Sequence, residues 1–184
     1  MDHINDDIIL DKILAGDNSQ YKILINKYKD YAFTLAYNIL NHREEAEEAA
    51  QDSFVKAFRH LPKFNRKAKF STWLYKIVTN TAITYCRKQK VKKEDIDRIA
   101  GIGEVPVSEL ELADRKKFIR RALALLNEQD RSVISLFYLK ELSLEEIAEV
   151  TGIKGNLVKV KLHRARKKLA KYMKLILQEE ALIL

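Results

Sequence analysis

Apolar residues recur along the chain at spacings of three and four, and the helix-breaking residues fall where that repeat stops. Ile9 and Ile13 mark a first helix from about Asp6 to Ala15, ended by Gly16. Asp17 with Gln20 predicts the cap of a long second helix whose core stripe is Leu24, Tyr28, Tyr31, Leu35 and Ile39. Asn41 is expected to open a third helix, with Ala46, Ala50, Phe54, Phe58 and Leu61 inward and Pro62 as its stop. Ser71 is the expected N-cap of a fourth, running towards Cys86 with Trp73, Ile77 and Ile83 for packing and Lys76, Asn80, Thr84 and Arg87 for solvent. From Val91 to Leu112 two glycines and a proline interrupt the period and the charge passes from basic to acidic, which reads as a linker. Periodicity resumes near Ala113 with Phe118, Ile119, Ala122, Leu125 and Leu126, and Asn127 predicts the cap of a helix carrying Val133, Leu136 and Phe137. Neither an Asn-Gly or Asp-Gly hairpin nor sustained apolar-polar alternation is present. The pattern predicts an all-α fold: two small helical domains, 1–92 and 113–184, joined by a linker over 93–112.

The next stretch changes what the second domain is for. Ser143 followed by Glu146 forms a capping box, the hydroxyl and carboxylate answering free backbone donors at a helix start. Leu144, Ile147, Ala148 and Thr151 share one face, Gly152 supplies a left-handed turn, and Ile153 plugs the corner. In the helix that follows, Val158, Leu162, Ala165, Leu169 and Tyr172 form one buried stripe. Its other faces carry Lys154, Lys159, Lys161, Arg164, Arg166, Lys167, Lys168, Lys171 and Lys174 with no acid between them, a surface that attracts phosphate. A basic run alone reads as a solvated helix. The capping box, the small residues at the turn and the buried stripe together favour a helix-turn-helix. The final KLILQEEALIL is apolar enough to pack, with no role assigned to it.

Composition narrows the partners. The 184 residues are 47% hydrophobic, enough for ordinary cores, and carry a net charge of +8. That charge suits a polyanion, an anionic membrane surface or plain solubility equally. Cys86 is the only cysteine, so a disulfide framework and a thiol metal cluster are excluded. The acidic start MDHINDDIILDKILAGD is unlike a signal peptide and no apolar run approaches a membrane span, so a cytoplasmic protein without membrane insertion is expected. The histidines at 3, 42, 60 and 163 have no metal spacing and no nucleophile motif is present, so neither an enzyme, a metal nor a cofactor is expected.

Charge is also strongly segregated. Glu44, Glu45, Glu47, Glu48 and Asp52 precede Lys56 and Arg59 in the third helix, an order that complements the helix dipole and equally furnishes an acidic docking face. From Lys63 to Lys93 there are ten Lys or Arg and no acid, with Phe64, Asn65, Lys67, Lys69 and Phe70 in the loop before the fourth helix. Cations beside aromatics and amides suit single-stranded nucleic acid. Trp73 reads both as a core anchor and as a ring on that strip.

In this order the segments resemble the extracytoplasmic-function group of bacterial RNA polymerase sigma factors, of the sigma-70 family, over nearly the whole chain. The likeness is carried by Glu48-Ala-Ala-Gln51-Asp52-Ser-Phe54, Phe70-Ser-Thr-Trp73-Leu, Asn80-Thr-Ala82, and Leu142-Ser-Leu-Glu-Glu-Ile-Ala148 with Leu162-His-Arg-Ala-Arg166. It implies a non-enzymatic subunit that binds core polymerase, directs it to promoters and assists strand opening. It places Glu47, Glu48, Gln51, Asp52 and Lys56 against the clamp coiled coil of the largest polymerase subunit. Phe64, Asn65, Lys69 and Phe70 match the loop that pockets a flipped minus-ten base, with Trp73 and Asn80 behind it and Lys76 on the same strip. Asn156, Lys159, Lys161, His163, Arg164 and Lys167 lie on the helix that reads the minus-thirty-five element in the major groove. Promoter DNA, duplex and melted, and an anti-sigma factor are the further partners implied. One departure stands out: Lys154, Leu157 and Val160 occupy positions where the family commonly has small hydroxyl residues, so promoter sequence does not transfer; either Leu157 or Val160 is open to a thymine methyl, or the helix starts later, near Asn156. The competing function is a stand-alone helix-turn-helix regulator binding duplex DNA, for which no dimer seam is readable.

Overall fold

The computed structural model describes residues 5–96, 112–140 and 142–181, and among these there are eight α-helices and no strand. The first, α1 (Asp6–Leu14), is capped by Asn5, whose side chain accepts from the Asp7 N–H at 3.1 Å. Its buried face of Ile9, Leu10 and Ile13 lies on the N-terminal core. Asp6 joins it to the next helix through an ion pair with Lys27 at 2.6 Å and a hydrogen bond from the Tyr28 hydroxyl. Asp17 caps a 3-10 turn, Asn18–Gln20, that leads into α2 (Tyr21–Leu40). Leu24, Tyr28, Leu35 and Ile39 are buried as the period predicts, but Tyr31 is 44% exposed, because it falls at the edge of a stripe already filled by Ala32 and Ala36.

Asn41 has a different part from the one expected. It ends α2 in a left-handed conformation, φ 55°, with its N–H on the Tyr37 carbonyl, and extended His42 precedes α3 (Arg43–His60). Ala46, Ala49, Ala50, Ser53, Phe54 and Ala57 form the buried face of α3, and the small side chains among them let its neighbours approach closely. Phe58 remains 36% exposed with its ring 4.9 Å from Tyr21. A 3-10 turn containing Pro62 ends the helix. α4 (Phe70–Ile96) starts one residue before Ser71, so Ser71 is not its cap; the Trp73 N–H bonds the Lys69 carbonyl. Leu74, Tyr75, Val78, Ala82 and Cys86 bury its inner face against α2 and α3. Burial of each large apolar side chain contributes about 1.5–3 kcal/mol, so these three helices stabilise one another chiefly by packing. The predicted linker is helical in its first residues, at the end of α4, and at Leu112; the rest of it lies outside the described residues.

In the C-terminal part, α5 (Leu112–Ala124) buries Ala122 and Leu123 while Ile119 is 43% exposed; beyond it Leu126 is buried and Leu125 55% exposed, so two residues assigned to packing face outward. Asn127 caps α6 (Glu128–Lys140) as expected, accepting from the Asp130 N–H at 2.8 Å. Val133, Ile134 and Leu136 of α6 meet Ile147 and Val150 of α7 (Leu144–Thr151) and Val158, Leu162 and Ala165 of α8 (Gly155–Ala181) in the buried core. The helix continues into the apolar C-terminal stretch as far as Ala181, with Ile176 buried; the last three residues lie outside the described ones.

The relative placement of the two parts is specific. α6 packs against α2 and α7 against α4, and the buried core runs through both. The Arg120 guanidinium lies 5.4 Å from the Tyr37 ring centre across this contact.

Candidate nucleic-acid and protein interfaces

The helix-turn-helix is assembled by local chemistry. The Ser143 hydroxyl accepts from the Glu146 N–H at 3.2 Å and Glu146 accepts from the Ser143 N–H at 3.0 Å, so both halves of the capping box form. Gly152 sits at φ +70°, where a side chain would strain the backbone by roughly 1 kcal/mol, and its N–H bonds the Ala148 carbonyl. Val158, Leu162 and Ala165 are buried and Leu169 and Tyr172 half-buried, so the opposite face is presented outward. Asn156, Lys159, His163, Arg164 and Lys167 are all exposed on it.

Lys161 is the exception among the assigned residues. Its ammonium is 2.9 Å from Asp130, itself 1% exposed, and Lys168 approaches the other carboxylate oxygen at 2.8 Å. Lys161 and Lys168 lie two turns apart on α8, on the flank facing α6, which directs Lys161 to the protein rather than to a groove. Burial pushes the Asp130 carboxyl up, but hydrogen bonds from Lys168 and Lys161 outweigh it and hold the group below its ordinary value. The sequence reading missed Asp130, whose partners lie on another helix.

The acidic face is presented by α3. Ala46, Ala49 and Ala50 turn inward, which leaves Glu47, Glu48, Gln51, Asp52 and Lys56 exposed. Arg43 pairs with Glu47 at 2.9 Å, the Tyr85 hydroxyl donates to Asp52 at 2.9 Å, and Lys56 donates to the Thr81 hydroxyl at 3.1 Å. Burial and the neighbouring Asp52 carboxylate push the Tyr85 phenol up to about 12, so it stays a donor. Beside Glu47 and Gln51 runs a groove with Ile25, Phe33 and Phe54 in its lining and a rim of mixed charge from Lys29, Asp30, Arg43 and Glu47, a combination not visible from the sequence.

The loop before α4 gathers an aromatic cluster. Phe64 and Trp73 are half-buried with ring centres 4.9 Å apart. Phe70 lies 5.8 Å from Trp73 and 5.7 Å from Tyr28. At 3% exposed, Phe70 is a core residue in this arrangement, correcting its expected place on the strand-facing loop: from the first turn of α4 it is directed onto α2. Trp73 is packed on the core and partly accessible. Asn65 is exposed and its side chain accepts from the Lys67 N–H at 3.1 Å, while Arg66, in a left-handed conformation, pairs with Asp11. Lys69 is paired at 3.0 Å with Glu146 of the helix-turn-helix, and the same carboxylate lies 3.4 Å from the Thr72 hydroxyl. Lys76 and Asn80 are exposed, and Asn80 lines a cleft of about 360 Å³ between α4 and α6 with Arg87, Gln129 and Ile153.

Among the described residues no helix is long and apolar enough to cross a membrane, and no group of three or more His, Cys, Asp or Glu is placed to hold a metal. What the geometry offers is a DNA-binding helix-turn-helix beside a second helical unit with separate acidic and basic surfaces. Residues 24–91 match the family Sigma-70 region 2, and residues 119–169 match Sigma-70, region 4. The chain is 32% identical over 175 residues to the ECF RNA polymerase sigma factor SigW of Bacillus subtilis, covering 89% of this chain and 94% of that one. It is 33% identical over 162 residues to the RNA polymerase sigma factor YlaC of the same organism, covering 85% and 94%. The fold is similar to that of the sigma factor RpoE solved with the anti-sigma factor NepR from Bartonella quintana, with a TM-score of 0.68, 23% identity and coverage of 84% and 96%. CnrH, solved with the cytosolic domain of CnrY, superposes with a TM-score of 0.67 at 22% identity, covering 91% and 96%. The chain belongs to the sigma-70 family of RNA polymerase sigma factors, in its extracytoplasmic-function group.

Proposed function

We propose that this sigma factor divides promoter-specific initiation among the three surfaces just described. The acidic face of Glu47, Glu48, Gln51, Asp52 and Lys56 docks on the clamp coiled coil of the largest polymerase subunit, with the groove beside it. Phe64, Asn65, Lys69, Trp73, Lys76 and Asn80 meet the melted minus-ten strand, and Phe70 supports that cluster from the core. A flipped base regains in stacking roughly 1–3 kcal/mol, which offsets the cost of unstacking it. Asn156, Lys159, His163, Arg164 and Lys167 enter the major groove at the minus-thirty-five element, while Lys161 holds α8 to α6. The protein acts in the cytoplasm and catalyses no reaction by itself; nucleotide chemistry belongs to the polymerase. An anti-sigma factor is a further partner, as the sigma factor RpoE, of similar fold, was solved with the anti-sigma factor NepR.

The observation that carries this reading is the segregation of charge onto opposite tasks, with carboxylates on exposed α3 and cations on the exposed face of α8. The contact between Lys69 and Glu146, and the position of Asn80 in the cleft, support a sequence of events in which α4 and α7 part before a strand reaches them. The test is the double variant Glu48→Lys, Asp52→Lys. Reversing two exposed charges at a docking face should weaken binding to core polymerase by roughly tenfold or more, with helicity and melting little changed. Unchanged affinity would return these carboxylates to solubility and helix-dipole roles.

A further inference from the structure

We infer that Leu157 and Val160 read thymine methyl groups in the upstream promoter element, giving this chain a specificity built on apolar contact at the start of its recognition helix. The inference rests on the proposed placement of α8 in the major groove. α8 begins at Gly155 and the Leu157 N–H bonds the Lys154 carbonyl at 2.8 Å, so both side chains fall in its first two turns. In helix-turn-helix proteins that end of the recognition helix meets base edges. Leu157 is 50% exposed and Val160 44% exposed, although Val158 between them is fully buried. Three residues apart, they are neighbours on the helix surface. Val160 stands with Asn156, His163 and Lys167 on the side away from the buried stripe, and Leu157 borders it beside Arg164.

A solitary exposed aliphatic residue needs no explanation. Here two adjoin within a surface otherwise made of amides, imidazole and cations, where solvation alone favours polar side chains. The major-groove edges of the four bases present donors, acceptors and one apolar group, the C5 methyl of thymine. Neither Leu157 nor Val160 has a donor or acceptor to offer a base edge, so complementarity leaves the methyl as their partner. Arg164 and Lys159 supply the polar and phosphate contacts around it. The upstream element of this sigma factor therefore contains at least one thymine whose methyl, rather than its O4 oxygen, is the recognised group.

The experiment uses the full chain in holoenzyme, on a promoter fragment found by mapping transcript starts after overproduction. Each thymine of the upstream element is replaced in turn by deoxyuridine, which removes the methyl and leaves every hydrogen-bonding group. At least one replacement should weaken binding by about fourfold, the value of one buried methyl. The same replacement should have no effect with Leu157→Ser or with Val160→Ser, which leave no methyl to meet the thymine, at exposed positions where substitution leaves the core intact. The inference is overturned if every deoxyuridine fragment binds like the parent while Arg164→Ala still relaxes upstream preference, since α8 then reads the groove without methyl contact. If Arg164→Ala and Lys159→Ala also leave upstream dependence unchanged, the placement of α8 fails together with it.

Discussion

Asp130 ties the recognition helix to the rest of the molecule, and the consequence of removing it can be worked from its surroundings. The residue is 1% exposed and its carboxylate meets Lys168 at 2.8 Å, Lys161 at 2.9 Å and the Asn127 amide at 3.1 Å. A hydrogen bond to a charged group contributes about 1.5–3 kcal/mol, and breaking a sealed ion pair by removing one partner costs about 3–5 kcal/mol. The two lysine side chains keep 27% and 49% of their exposure, so they can turn to water once the carboxylate is gone. That escape places Asp130→Ala near about 2–4 kcal/mol of lost stability, and Asp130→Asn, which keeps the shape and one acceptor, lower. Urea unfolding of the full chain followed by circular dichroism measures it. The acid limb gives an independent check. Because the folded Asp130 carboxyl lies below its unfolded value, its contribution is present above about pH 4 and is lost as pH falls through the depressed folded value. Asp130→Asn should flatten that part of the stability profile. A loss under about 0.5 kcal/mol with an unaltered acid limb would refute the structural role argued from these contacts. Lys161→Ala supplies the functional counterpart: it should lower stability while leaving upstream base preference unchanged, and altered preference at one base pair would restore Lys161 to the DNA-reading set.

Trp73→Ala should lower stability by about 1.5–3 kcal/mol, below the value for a fully buried ring, and should also reduce permanganate reactivity of the minus-ten region at temperatures where the variant is folded; normal opening would confine the ring to packing. As the chain's only tryptophan, Trp73 can be exchanged for 5-hydroxytryptophan, which is excited apart from the polymerase's own tryptophans, and its fluorescence in holoenzyme should change on adding minus-ten single strand. Glu146→Gln keeps the capping box but removes the charge facing Lys69. An exposed pair of this kind is worth about 0–1 kcal/mol, so the two helical units should separate up to about fivefold more often; unchanged energy transfer between dyes on α4 and α7 would show that packing alone holds them.

Much of this protein was legible without coordinates because its decisive signals are local. The period of three and four, the Ser143–Glu146 box, the turn at Gly152 and the stripe from Val158 to Ala165 each depend on residues within one or two helical turns, where backbone geometry dictates who meets whom. Charge segregation between α3 and α8 is likewise a property of spacing alone. The errors share the opposite character. Tyr31 and Tyr28 carry similar side chains, as do Lys161 and Lys159, and Phe70 and Phe64; within each pair the neighbours brought by another helix set the burial. Asp130 acquires its lysines, Lys69 its carboxylate and Asn80 its cleft only when α6 and α7 arrive against α8 and α4. The helices and their exposed charges follow from the chain read along itself, whereas which ring is core, which lysine is occupied and which surfaces face each other depend on contacts between residues far apart in sequence, which only packing selects.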